Sequence, residues 1–241
     1  LRALLALGSA KLCGYSQGSR DINLAACVEL IHNATLMHDD VIDEGVVRRG
    51  KETLNKVWDN HSSVLIGDYL LSRCFEIMVQ DGDLEVLQLL SSTSAKIAQG
   101  EVLQLQHKGE ADLLEETYID IINLKTAALF SAATKTGACL AKSNEKEKGA
   151  LESYGKNIGL AFQIMDDVLE VSSDTVTLGK SNLSDITNKK MTYVSVYGVE
   201  ESIQKAEALS NFCVKQIQEN FEIDKARELI ELTHLMVSRS N

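Results

Sequence analysis

His38-Asp39-Asp40-Val41-Ile42-Asp43-Glu44-Gly45-Val46-Val47-Arg48-Arg49-Gly50 sets a cluster of carboxylates and two guanidinium groups within thirteen residues. Its aspartates stand at i, i+1 and i+4, so on a helix Asp39 and Asp43 lie one above the other with Asp40 beside them. The run-in is apolar (Leu30, Ile31, Ala34, Leu36, Met37), and Val41 and Ile42 separate the acids. Carboxylates on such a helix resist burial unless a cation neutralises them. A hard divalent ion that keeps several waters and shares its other positions with phosphate oxygens suits this donor set, which describes Mg²⁺. The arginines follow within one loop, and guanidinium forks match phosphate. Acid for metal and base for phosphate, this close together, predict a metal–diphosphate site. A single acid triplet, however, is more often a solvated helix end.

A second cluster changes that weighting. Phe162-Gln163-Ile164-Met165-Asp166-Asp167-Val168-Leu169-Glu170 repeats the acid spacing, again behind an apolar helical run. Two such helices can face each other across a bundle and hold metal ions between them. Between the clusters in sequence stands Lys125, flanked by Leu124, Ala127, Ala128, Leu129 and Phe130. A lysine on so apolar a helix cannot easily reach water and needs an anion.

With Gly67-Asp68-Tyr69-Leu70-Leu71 and Lys125-Thr126, these motifs run in order along essentially the whole chain. The set resembles the trans-isoprenyl diphosphate synthases, which carry two aspartate-rich motifs on facing helices. The resemblance implies an all-α fold, a single-domain antiparallel helical bundle over residues 1–241 around a central cavity. It also implies that the N-terminal end of the family fold is missing, with a lysine ligand upstream of Leu1. The implied chemistry is head-to-tail addition of isopentenyl diphosphate to an allylic diphosphate, with more than one Mg²⁺ (Mn²⁺ as a substitute), in a homodimer.

Carried onto this chain, the resemblance makes Asp39, Asp40, Asp43, Asp166, Asp167 and Glu170 the metal-binding acids. Glu170 stands where the family usually has aspartate, and its longer arm predicts weaker octahedral Mg²⁺ binding. Arg48, Lys125 and Lys180 are expected to hold the allylic diphosphate, and Arg2, His32 and Arg49 the isopentenyl one. His32 lies two helical turns before Asp39 and so on its face. Thr126, Gln163 and Lys190 complete the substrate contacts, with Glu101 and Gln104 behind them. Ala34 and Thr35 lie about one turn below the metal site, where short-chain members put a bulky aromatic floor. Small residues there predict an open passage and a long-chain polyprenyl product, for a quinone side chain.

The alternatives are a short-chain farnesyl or geranylgeranyl synthase and a non-catalytic partner subunit, though a partner subunit normally loses acids that here persist in both motifs. A terpene cyclase would carry Asn and Ser in its second metal motif. A di-iron bundle needs paired Glu-x-x-His motifs, and only Glu29 with His32 supplies one.

Composition narrows the partners. A formal charge of −11 argues against nucleic acid and against an anionic membrane surface. Cys13, Cys27, Cys74, Cys139 and Cys213 are scattered without a C-x-x-C, as buried thiols in a reducing compartment would be. No apolar run reaches the roughly 18 residues of a membrane span. These features predict a cytoplasmic protein, or one of an organelle matrix. Proline is absent, where average usage of about 5% would give about a dozen. The family pattern expects it at Ala3, Glu52, Ser181 and Ser195.

Periodicity and punctuation predict helices over residues 1–12, 23–43, 64–80, 84–105, 115–141, 150–171, 199–220 and 224–238. Ser62 or Ser63 is the expected cap of the third. Residues 44–60 read as a loop containing Trp58, expected to pack. Residues 172–194 lack a clean period, and Lys180, Lys189 and Lys190 make them a candidate lid over diphosphates.

Overall fold

The computed structural model describes residues 1–241 except Arg49, 108–113, 178–191 and 239–241, with 172–177 described by backbone alone. Arg49 and the middle of the candidate lid, 178–191 with Lys180, Ser181, Lys189 and Lys190, therefore lie outside the described residues. The order is α1 (Arg2–Leu12), α2 (Arg20–Ile42), β1 (Val47–Arg48), β2 (Lys51–Glu52), α3 (Leu54–Val57), α4 (Asn60–Asp81), α5 (Leu84–Gln106) and α6 (Glu115–Ile122). A π-helical turn (Asn123–Ala127) follows, then α7 (Ala128–Leu140), α8 (Glu145–Thr177), α9 (Tyr193–Asn220) and α10 (Ile223–Val237). Among the described residues the fold is all-α apart from one two-stranded hairpin.

α7 is the centre of the packing. Ten of its thirteen residues are buried, as expected of a helix apolar on every side. One face joins Phe130 and Ala138 to Leu151, Tyr154 and Ile158 of α8, Ile217 of α9 and Leu229 of α10. The other joins Leu129, Ala133 and Leu140 to Leu24 and Val28 of α2, Met78 of α4 and Leu90 of α5. Each fully buried large side chain contributes about 1.5–3 kcal/mol. The two acid clusters, on α2 and α8, are thereby held on opposite flanks of one rigid helix.

Local chemistry sets the ends. α4 starts a turn earlier than expected, because Asp59 and not a serine is its cap, accepting the Ser62 N–H at 2.6 Å. α8 also starts early, at an Asn144–Glu147 capping box that lies inside a charged turn. It also runs on to Thr177, past the end its periodicity suggested. The expected loop at 44–60 contains the hairpin, with Val47 opposite Glu52 and Arg48 opposite Lys51. Gly50 turns it at φ 74°, a conformation that glycine adopts without strain. Trp58 is 62% exposed and does not pack as expected. Among the described residues no helix is long and apolar enough to cross a membrane, and the five cysteines are free thiols.

Two of the positions where proline was expected use the N–H that proline lacks. Ala3 N–H donates to Glu29 Oε1 at 3.2 Å. Ser195 N–H donates to Thr192 Oγ1 at 3.2 Å, and Ser195 Oγ accepts from Thr192 N–H, which closes the capping box of α9. Ser195→Pro should therefore lower stability by about 1 kcal/mol. The measure is the urea midpoint at constant slope, and an unmoved midpoint would show the box to be idle.

Candidate active site

The π turn reaches both acid clusters through consecutive side chains. Lys125 extends to the first: its Nζ lies 3.4 Å from Asp39 Oδ2 and 2.5 Å from Glu101 Oε1, and it donates to Gln104 Oε1 at 3.3 Å. Thr126 extends to the second, donating its hydroxyl to Gln163 Oε1 at 2.8 Å. Single-turn π insertions mark functional sites in many helices, and this one sits at the junction. Gly100 permits the close approach of α5, since a Cβ there would lie 2.9 Å from Lys125 N. Burial works against the Lys125 charge, but Asp39 and Glu101 outweigh it and raise its pKa. The anion this lysine required is thus supplied here by carboxylates.

Glu101 was expected only in support, yet it is the nearest partner of Lys125. Burial first, then the Asp39 charge, push its carboxyl up to about 7 against the pull of Lys125. The folded protein thus holds a proton there that an unfolded chain, with an ordinary value of 4.5, has lost. Stability should fall as pH rises from about 4.5 to about 7 in metal-free buffer. Glu101→Gln should flatten that slope. An equally steep slope in the variant, measured by denaturation at several pH values, would assign it to another group.

In both clusters the second acid turns into the protein. Arg48 grips Asp40 through Nε at 2.9 Å and Nη2 at 2.7 Å, and the Arg48 side chain stays 40% exposed, so it can still meet an anion. Asp167 accepts the Tyr118 hydroxyl on Oδ2 and Gln163 Nε2 on Oδ1 at 3.0 Å. Burial raises its pKa while these donors pull it down. Asp39 is also buried, whereas Asp43 and Glu170 are exposed and Asp166 is half-buried.

Arg2 and His32 lie together, with Arg2 Nη1 3.1 Å from His32 Nε2 and its guanidinium 4.4 Å above the Phe130 ring. Asp68 makes an ordinary polar contact, 3.4 Å from His38. Ala34 is fully buried, and Thr35, half-buried, donates its hydroxyl to the His32 carbonyl at 2.8 Å. Tyr118 was not anticipated. A tyrosine on a short amphipathic helix carries no sequence signal that distinguishes it from core packing.

The donors present fit a hard divalent cation. They are carboxylate oxygens, and Asp39 Oδ1 is buried without a hydrogen bond from the described residues. Among the described residues no three ligating side chains stand close enough to complete a metal site. Water and phosphate oxygens would have to supply the remaining positions, which is how Mg²⁺ is usually held.

The chain matches the polyprenyl synthetase family over residues 1–231. It is 38% identical over 216 residues to octaprenyl diphosphate synthase of Escherichia coli (strain K12), covering 90% of this chain and 67% of that one. It is 40% identical over 209 residues to a short chain isoprenyl diphosphate synthase of Methanothermobacter thermautotrophicus, covering 85% and 64%. Its backbone superposes on the crystal structure of a decaprenyl diphosphate synthase from Rhodobacter capsulatus with a TM-score of 0.90 at 34% identity, covering 100% of this chain and 85% of that one. The chain thus spans about two thirds of the length of the two curated relatives.

Proposed function

The chain belongs to the polyprenyl synthetase family, a family of trans-isoprenyl diphosphate synthases, and from that premise we propose that it is a Mg²⁺-dependent prenyltransferase. It adds isopentenyl diphosphate head-to-tail to an allylic diphosphate and makes a long all-trans polyprenyl diphosphate, suited to a quinone side chain. The observation that carries this reading is the π turn, which joins one side chain to each acid cluster.

The main barrier is charge separation as diphosphate leaves the allylic carbon. Asp39, Asp43, Asp166 and Glu170 would hold Mg²⁺, which when bound would supply positive charge to neutralise the departing oxygens. Lys125 exchanges its carboxylate partners for the allylic diphosphate, and Arg48, braced by Asp40, meets the same group. Arg2 and His32 hold isopentenyl diphosphate, with its double bond turned towards the allylic carbon. Lys180, Lys190 and Arg49 add positive charge from outside the described residues. Thr126 and Gln163 line the place where the allylic cation forms. No side chain is needed as the base, because the released diphosphate can accept the proton. These charges are fixed before the reaction, so they need not reorganise during it.

The protein works as a homodimer in this reading. Five free thiols suit a reducing compartment, the cytoplasm or an organelle matrix. The deciding test is incubation of the purified chain with farnesyl and isopentenyl diphosphates and Mg²⁺, followed by sizing of the products. A ladder of longer prenyl diphosphates is expected. No elongation at all would favour a non-catalytic partner subunit.

A further inference from the structure

Asp167 is surrounded by protein donors, although an acid in a metal-binding motif would be expected to keep its oxygens open. The Tyr118 hydroxyl meets Oδ2, Gln163 Nε2 meets Oδ1 at 3.0 Å, and the Tyr193 backbone N–H is directed at the same carboxylate. Both Tyr118 and Asp167 are buried, at 6% and 5% exposure. A carboxylate only accepts, so it dictates which end of the Gln163 amide faces it. The NH₂ group turns to Asp167, and the carbonyl oxygen turns to the Thr126 hydroxyl, 2.8 Å away. That assignment follows from the network, as amide orientations must.

We propose that Tyr118 is a positioning residue: by holding Asp167 it fixes the Gln163 amide with its carbonyl oxygen towards the Lys125–Thr126 turn. The inference rests on the prenyl-transfer reading, in which positive charge develops on the allylic carbon beside that turn. A carbonyl dipole set beforehand with its negative end towards this carbon favours the cation without reorganisation. A flipped amide would present its NH₂ group and oppose the charge. Removing the Tyr118 hydroxyl leaves Asp167 Oδ2 short of a donor in a buried site, and the carboxylate is then free to rotate. The Gln163 amide loses the partner that orients it. Lys125 and Arg48 are untouched, so the grip on diphosphate should remain.

The test compares two probes by calorimetry on the full chain, with Mg²⁺ present: farnesyl thiolodiphosphate, uncharged along its chain, and an analogue of equal length with an ammonium nitrogen at the cationic centre. Tyr118→Phe should reduce the preference for the ammonium probe by about tenfold while changing thiolodiphosphate affinity by less than about twofold. Asp167→Asn, whose amide can donate as well as accept, should give the same loss and serves if Tyr118→Phe folds poorly. Adding Tyr118→Phe to Gln163→Leu should change the preference no further, because both act through one group. An undiminished preference in the folded single variants, or additive losses in the double variant, would overturn the proposal. A wild-type chain that neither binds these probes nor elongates would overturn the functional reading and this proposal together. A merely structural tyrosine would weaken both probes alike.

Discussion

Asp39→Ala and Asp166→Ala should each lower elongation by on the order of a hundredfold or more at saturating Mg²⁺, with the helical fold intact. The argument starts from position within each cluster. Asp40 and Asp167, the second acids, are engaged by Arg48 and by Tyr118 and Gln163. Asp39, a first acid, keeps a buried oxygen without a hydrogen bond. Burying such an oxygen is unfavourable in the ligand-free protein and becomes favourable only when a cation arrives. Removing it also removes the 3.4 Å contact to Lys125, but Glu101 keeps that lysine paired, so metal-free protein should not be destabilised. The substitution should also remove a repelling neighbour of Glu101, whose carboxyl then ionises below about 7. Thermal unfolding without metal separates this from collapse of the site: Asp39→Ala should melt no lower than the parent. Near-normal turnover in either variant would sink the assignment of the first acids to metal.

Much of this site was legible because its chemistry sits in short, repeated local patterns. The i, i+1, i+4 acids, the arginine pair and the lysine on an apolar helix each point to charge that needs a counterpart. Spacing along one helix cannot say which acid turns inward, because that depends on what the neighbouring element brings. Asp40 is occupied because the hairpin folds Arg48 back onto it, and Asp167 because α6 delivers Tyr118. The π turn was illegible for a related reason. Asn123–Ala127 follows a helical pattern, and the extra residue shows only when α5 and α8 fix Lys125 and Thr126 in different directions. The early start of α8 was readable, by contrast, since Asn144 and Glu147 stand at capping-box spacing.

The product length should depend on Thr35 more than on Ala34, and the reason lies in the faces of α2. Ala34 shares a face with Cys27 and His38, seven residues before and four after it. Both meet α4: Cys27 Sγ lies 3.8 Å from the Cys74 carbonyl, and His38 Nε2 lies 3.2 Å from that of Val64. Ala34 is therefore small because two helices cross there. Thr35 is four residues before Asp39 and Ile31 four before Thr35, which sets all three on one face, about 6 Å apart along the axis. Ile31 in turn stands beside Leu71, Cys74, Phe75, Met78 and Leu90. A chain growing from the metal site would pass Thr35 first and meet Phe75 and Met78 last. Overall identity does not decide the outcome, because a long-chain and a short-chain enzyme are almost equally similar to this one. Thr35→Phe should shorten the product to farnesyl or geranylgeranyl length while the first condensation survives. Met78→Ala should lengthen the ladder, or leave it unchanged if Phe75 alone closes the passage. Ala34→Phe should instead lower stability by about 1–3 kcal/mol through overpacking of the α2–α4 seam. Chromatographic sizing of the products beside a denaturation curve for each variant reads all three. A shortened product from folded Ala34→Phe, with Thr35→Phe unchanged, would place the passage on the other face of α2 and remove the reason for expecting a long chain through this one.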